Sequence, residues 1–360
     1  MTVTEFDRRV QHEFRVRGSR TFILGAGFSA GAGIPLTGQL LSKAMELFAA
    51  ECPGLYSRVE GYVRTAFSVS RHEQQAIDFA ELGFSDLCTF IEYIELKEYG
   101  GGERWSDSGS REKLALKFYL AKAIALATPA AGEIPPLYLE FARQIRPSDL
   151  VITFNWDCLL EAALNAVNVP FRYQSLSDTP EPTLAGKLEI TKLHGSINWR
   201  LGLPRGQAEF RWRSFGFASG MMKTEVYCSG GVENRESWVN GEPLGELEPL
   251  IVLPGYGKAI DVRHLAPLWY RPENGFGYTH DVNIVGLSLA PDDFFIRSFF
   301  LSCLPFLSSF SGLPERRIRI INPDVAVRAN YRFLDNVKNV DFIFERFQSS
   351  HVSVFNSSSE

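Results

Sequence analysis

Apolar residues along the chain fall in short runs that alternate with longer segments of helical period. Arg20–Leu24 is a β-rich apolar run that ends in Gly25-Ala26-Gly27. A helix is predicted to start near Ser29 or Pro35 and to pass through Leu40, Leu41, Met45 and Phe48. Residues 51–147 turn to a helical period. Leu87, Phe90, Ile91 and Ile94 follow the i, i+3, i+4, i+7 rule, Leu114, Phe118 and Ala121 to Ile124 predict a second amphipathic helix, and residues 137–145 a third. The Gly/Ser-rich residues 100–109 lie between the first two as a loop expected to be mobile.

Beyond this block the short runs return. Residues 149–154 are a buried-type strand followed by Asn155-Trp156-Asp157 and a helix through Leu159, Leu160 and Leu164. Residues 188–193 form another strand that ends in His194-Gly195-Ser196, and residues 251–254 and 282–287 are two more. The second of these leads through Ser288 and Asp293 into a helix, and Arg317–Ile321 is a last strand ending in Asn322-Pro323-Asp324. Strands alternating with helices imply an α/β fold: a doubly wound, Rossmann-like, mainly parallel sheet. The reading divides the chain into the first part of that domain (1–50), a helical insertion (51–147) and the remainder (148–345). Residues 201–248 within the remainder are rich in Gly, Trp and charge and are left unassigned, and a Ser-rich tail (346–360) is expected to fray.

Composition narrows the class. With 45% hydrophobic and 22% charged residues the balance is that of an ordinary globular protein, and a net charge of -5 argues against a dominant nucleic-acid surface. The run Arg316, Arg317, Arg319 is read as a solvated face. Cys52, Cys88, Cys158, Cys228 and Cys303 are widely spaced, with no C-x-x-C pair, so neither a disulfide framework nor a zinc site is indicated. The start of the chain is polar, and no apolar run approaches the roughly 18 residues a membrane span needs. A cytoplasmic protein with reduced thiols is expected.

The chemistry sits where strands end. A glycine turn between a strand and a helix lets backbone approach a dinucleotide pyrophosphate, and ligands of open α/β sheets bind outside the carboxyl ends of strands. The glycines at 25, 27, 31 and 33 depart from G-x-G-x-x-G, so the turn alone is weak evidence. Asn155 and Asp157 follow one apolar run, and His194, Ser288 and Asn322 each follow another. Taken singly, a post-strand Asn or Asp is more often a helix cap and a lone His a hydrogen-bonded structural residue. As a set at successive strand ends they point to one site.

These motifs resemble those of sirtuins. The segment from Gly25 to Pro35 is similar to the signature G-A-G-x-S-x-x-x-G-I-P, Thr153-Phe154-Asn155-Trp156-Asp157 to T-Q-N-I-D, and Leu193-His194-Gly195 to L-H-G. Gly286-Leu287-Ser288-Leu289 and Ile321-Asn322 resemble the later G-x-S-L and I-N elements, so the match covers around half the chain in the same order. The resemblance implies NAD as substrate. Gly25, Ala26, Gly27 and Ser29 would hold its phosphates, and Ile34 and Asp157 would border the nicotinamide. Asn155 would position the ribose and a water, His194 would be the general base, and Gly286, Ser288 and Asn322 would hold the adenosine end.

The departures are informative. Leu36-Thr37-Gly38 stands where sirtuins have D-F-R, and Phe154 replaces their Gln. Only Cys228 and Cys303 follow His194, so the four zinc cysteines are missing and no zinc is expected. The pattern is closest to the bacterial sirtuin-like domains of anti-phage systems that hydrolyse NAD to nicotinamide and ADP-ribose. A histidine titrating near neutrality would suit the base role. Protein deacylation or ADP-ribosyl transfer is the alternative, and a non-catalytic NAD or ADP-ribose sensor a second. Because an unregulated NADase is toxic, the same analogy implies a homo-oligomer and a separately encoded partner such as a HerA-type ATPase.

Overall fold

The computed structural model describes residues 20–67, 77, 79, 82–98, 111–174, 186–202, 211–214, 224–228, 241, 248–255, 258, 262, 265–266, 268–269, 279–291, 293–308 and 317–355. The first strand, β1 (Arg20–Leu24), has every residue buried, as a central strand covered on both faces must. The chain then makes a short helix α1 (Ala26–Ser29), a 3₁₀ turn, and α2 (Thr37–Glu51), α3 (Pro53–Phe67), α4 (Phe84–Glu98), α5 (Arg111–Ala127) and α6 (Pro136–Gln144). It re-enters the sheet as β2 (Leu150–Thr153), followed by α7 (Leu159–Ala166), β3 (Phe171–Tyr173) and β4 (Leu188–Lys192). A second sheet is built from β5 (Gly195–Gly202), β6 (Arg211–Ser214), β7 (Thr224–Cys228) and β8 (Glu248–Ile251). The main sheet is completed by β9 (Asp281–Val285), β10 (Arg317–Ile321) and β11 (Val340–Ile343), with α8 (Phe294–Ser308) between the first two and α9 (Ser349–Val354) last.

The main sheet has seven strands in the order β11-β10-β9-β1-β2-β4-β3, and all its pairings are parallel. The chain leaves β1 toward β2 and later returns to its other side through β9, so the topological switch lies at β1/β9. Alternation along the strands supplies two cores. Phe22 and Leu24 face the layer of α2, α5, α6 and α7, whereas Ile23, Ile152 and Ile284 face α8 and the second sheet. This is the doubly wound α/β fold expected from the strand–helix alternation.

Several expectations are corrected. Helix α5 is not amphipathic: residues from Glu112 to Ala125 are all buried, and Lys113 and Lys122 reach Glu92 (3.2 Å) and Glu51 (2.7 Å). Periodicity misses this because the helix is enclosed on every side. The strand expected at 251–254 ends at Ile251 and belongs to the antiparallel second sheet. Arg319 is no solvated residue. It is buried, and its guanidinium lies 3.1 Å from Asp281 Oδ1. The tail does not fray over 349–355: α9 buries His351, Val352 and Phe355, and the Phe355 carbonyl accepts from Arg20 Nη1 at 3.0 Å. Short strands β3 and β11 and the strands within 201–248 escaped the sequence reading. Residues 100–109 lie outside the described residues.

Candidate active site

The carboxyl ends of the central strands are level. Leu24 is in register with Thr153 and Val285, Thr153 with Lys192, and Ile321 with Val285. The ladder runs one residue further on every strand: Phe154 N donates to Leu24 O, Leu193 N to Thr153 O, Gly25 N to Val285 O, Gly286 N to Ile321 O, and Asn322 N to Ile343 O, all at 2.9–3.0 Å. Ala26, Asn155 and His194 therefore stand at one height on the adjacent strands β1, β2 and β4. They line one cavity of about 490 Å³, within the usual range for small-molecule sites. Gly25, Ile34, Asp157, Gly286 and Ser288 line it too. Gly27, Ser29 and Asn322 do not.

Each of these three has another partner. Ser29 is buried, and its Oγ accepts from Asn155 Nδ2 at 3.2 Å. Asn322 sits one strand beyond β9 and uses its Oδ1 to accept from Asp324 N at 3.0 Å, closing its own turn. Gly27 belongs to a clasp between two turns. Its N–H donates to Gly286 O at 2.9 Å, and a Cβ at Gly27 would stand 2.8 Å from Gly286 Cα. Gly286 has φ +66, and a Cβ there would lie 2.2 Å from Phe28 N. These glycines thus serve contact between the β1 and β9 turns, and the N–H groups of Gly25 and Gly27 are spent on carbonyls. Ala26, exposed in the cavity wall, is the part of the turn open to a ligand.

Asn155 is held tightly. Its Nδ2 donates to Gly25 O at 2.9 Å as well as to Ser29, and its backbone N donates to Thr153 Oγ1 at 3.0 Å. A carbonyl can only accept, so the contact with Gly25 O fixes which end of the amide is nitrogen. The side-chain oxygen is left as the acceptor for a ligand hydroxyl or water.

His194 is in the opposite condition. It is buried, ringed by Phe154 (5.1 Å between centroids) and Trp269 (6.1 Å), and its Nε2 has no hydrogen-bond partner among the described residues. Burial first, and then the Lys258 charge, push its pKa well below the ordinary value of 6.5. Both causes favour the neutral imidazole, whereas the sequence led to the expectation of a ring titrating near neutrality. The Gly195 that follows has φ +76, and a Cβ there would meet Leu250 O at 2.0 Å, so only glycine lets the chain swing from β4 into β5 beside β8.

A polar network under the cavity locks the β2 turn to the end of β4. Lys192 Nζ, fully buried, donates to Asp157 O (2.6 Å) and Glu161 Oε1 (2.8 Å), and Tyr173 OH donates to the same Glu161 oxygen at 3.1 Å. Asp157 Oδ1 accepts from Leu159 N at 3.0 Å, and burial raises the Asp157 carboxyl. Cys158 is no nucleophile, since burial, reinforced by Glu161, pushes its thiol up to about 12.

Sequence reasoning missed part of the wall. Phe84 and Ser85 come from α4, Val252, Pro254, Gly255 and Lys258 from the segment after β8, and Phe295 and Ile296 from α8. Asp293 caps α8: its Oδ1 accepts from Ile296 N at 3.1 Å. Its other oxygen lies 2.5 Å from Lys258 Nζ. The glycines before Lys258 and the apolar run before them were the available signal. Among the described residues no group of three or more His, Cys, Asp and Glu is placed to hold a metal, and no helix is long and apolar enough to cross a membrane.

No family model matches the chain, and no curated protein matches it in sequence. Sir2 proteins are among the solved structures that overlay on it over nearly its whole length. A Sir2 homologue in complex with NAD overlays with a TM-score of 0.41 at 13% identity, covering 97% of this chain and 94% of that one. A Sir2 with 2'-O-acetyl-ADP-ribose and a deacetylated p53 peptide gives 0.40 at 11%, covering 98% of both chains. Overlap at such scores carries no weight on its own. The fold rests on the sheet order, and the site on the level strand ends.

Proposed function

We propose that this chain binds NAD at the carboxyl edge of the main sheet and hydrolyses its nicotinamide–ribose bond. The observation that carries the reading is the convergence of Asn155 and His194, from adjacent strands, on one cavity that also contains the turns after β1 and β9. The residues fit a dinucleotide. The switch point gives the crevice, Ala26 gives a backbone approach for phosphate, and the Asn155 oxygen and the unpaired His194 Nε2 are polar groups left for a ligand. Ile34, Leu40, Phe84 and Phe154 would supply an apolar wall for the nicotinamide.

Nicotinamide is a good leaving group, and its departure builds positive charge on the ribose. The cation needs orientation and a water more than a strong nucleophile. Asn155, fixed by Gly25 and Ser29, would orient the ribose and the water, and neutral His194 would take the proton from the attacking oxygen. By analogy with the defence-associated domains it resembles, the activity would deplete NAD during phage infection. An oligomer and a HerA-type ATPase partner belong to the same analogy. Purified protein should release nicotinamide from NAD at the same rate with and without an acetylated peptide. Release that requires the peptide would assign a deacylase, and binding without turnover a sensor.

A further inference from the structure

We infer that Asn330 and Tyr331 are positioning residues that fix Ser288 in the cavity and so set the affinity for the non-reacting half of the dinucleotide. The inference rests on the NAD reading above and adds two residues that none of the strand-end motifs contains and that do not line the cavity themselves. The loop after β9 carries Ser288 exposed in the cavity wall. Its backbone is held carbonyl by carbonyl. Gly286 O accepts from Gly27 N at 2.9 Å, Leu287 O from the Tyr331 hydroxyl at 3.0 Å, and Ser288 O from Asn330 Nδ2 at 2.9 Å. The loop needs this support. Among the described residues Asn168, Leu289 and Asn339 are the non-glycines with positive φ. The two Asn are exposed and tolerate the left-handed region, whereas Leu289, at φ +50, is fully buried next to Ser288. Such a conformation persists only where its surroundings over-determine it.

The clamp is rigid because Tyr331 belongs to the core. Its ring is fully buried against Phe300 of α8 (6.1 Å between centroids) and Phe342 of β11 (6.3 Å), and it stands at the kink of the 3₁₀ segment Val325–Leu334. That segment starts from the end of β10, where Asn322 Oδ1 accepts from Asp324 N and Asp324 Oδ1 from Ala326 N. The crevice straddles the switch between β1 and β9, with Asn155 and His194 on the β2–β4 side and Ser288 on the β9 side. A ribose reacting at Asn155 and His194 leaves the rest of the dinucleotide to reach across β1 toward Ser288. That half undergoes no chemistry, so contacts to it are equal in the ground state and the transition state. Uniform binding of this kind moves KM and leaves kcat alone.

The test compares kcat and KM for nicotinamide release with the calorimetric Kd for ADP-ribose, which lacks the nicotinamide. Tyr331→Phe keeps the packed ring and removes one donor. Asn330→Asp keeps the shape and sets a carboxylate oxygen against the Ser288 carbonyl. Each should raise KM for NAD and Kd for ADP-ribose together, by roughly three- to tenfold, the effect of one hydrogen bond, with kcat within about twofold. Ser288→Ala added to Tyr331→Phe should fall well short of the product of the two, because the clamp acts on the ligand through Ser288. Unchanged KM and Kd in the folded variants, a loss confined to kcat, or a fully multiplicative double variant overturns the inference. Should Tyr331→Phe fail to fold, the partly exposed Asn330 carries the test through Asn330→Asp. A wild type that neither binds ADP-ribose nor releases nicotinamide would instead bring down the NAD reading, and the inference with it.

Discussion

On the β1–β9 side of the cavity, backbone packs directly on backbone: Gly25, Gly27 and Gly286 interlock with no side chain between them, and their N–H groups are spent on carbonyls. On the β2–β4 side, side chains stand in the wall with bonding capacity to spare, an Asn155 oxygen and a His194 nitrogen among apolar rings. The two sides share one sheet edge and one register. The first has no latitude for change and specifies the fold, whereas the second carries polar atoms the fold itself does not use. Damage to the clasp should therefore appear as lost stability, and damage to the polar side as lost turnover in an intact protein.

The largest effect should come from the polar side. His194→Ala and Asn155→Ala should each slow nicotinamide release by about 10²- to 10⁴-fold in protein that still folds, with NAD affinity little changed. The double variant should fall well short of the product of the two, because the residues act as a unit. Full release by folded His194→Ala would remove His194 from the chemistry.

The clasp is tested by Gly286→Ala. An added Cβ would meet Phe28 N at 2.2 Å at a residue whose φ is +66, so overpacking of about 1–3 kcal/mol adds to the left-handed penalty. Urea unfolding should show that loss. Unchanged stability with weakened NAD binding would mean that these glycines serve ligand approach after all, and the contrast between the two sides would collapse.

The legible parts of the molecule were those with local signals. Arg20–Leu24 carries Phe22, Ile23 and Leu24, and Arg317–Ile321 carries Ile318, Ile320 and Ile321, because both faces of their sheet are covered, and their ends are marked by glycine or Asn. Asn155 and His194 stood out because each follows such a run. Helix α5 was misread because a helix buried all round has no polar face to set its period. The strands β3 and β11 are three and four residues long, too short for a pattern. Lys258 was invisible because its meaning lies in Asp293, whose sequence position said only helix cap. The contacts that tie Gly27 to Gly286 and Ser29 to Asn155 are encoded in no motif.

Acid should weaken the polar side specifically. The folded pKa of His194 lies below its unfolded value of 6.5, so above 6.5 the ring is neutral in both states and contributes nothing. Below 6.5 the unfolded chain takes a proton that the folded site refuses. Stability then falls with falling pH until the folded pKa is reached, by at most about 1.4 kcal/mol per pH unit. Urea midpoints at about pH 7 and about pH 5.5 should drop more for the wild type than for His194→Ala, which lacks this linkage. Equal drops would show that His194 protonates freely in the folded protein.

The smallest effect belongs to a residue that links the two sides. Ser29 comes from the turn after β1, and its hydroxyl accepts from Asn155 Nδ2 at 3.2 Å while Gly25 O takes the shorter bond at 2.9 Å. If Ser29 bound phosphate, as its motif position suggests, Ser29→Ala should raise KM for NAD and leave kcat alone. The hydroxyl is buried, accepts from Asn155 and donates to the Asp157 carboxylate, so Ser29→Ala loosens the amide and takes one hydrogen bond from that carboxylate. Nicotinamide release should fall by roughly tenfold or less, in kcat and not in affinity. Ser29→Ala combined with Asn155→Ala should be well short of multiplicative, since most of the effect of Ser29 on turnover would pass through Asn155. A change confined to KM would return Ser29 to the phosphate site, and a fully multiplicative double variant would show that it acts through Asp157 and not through Asn155.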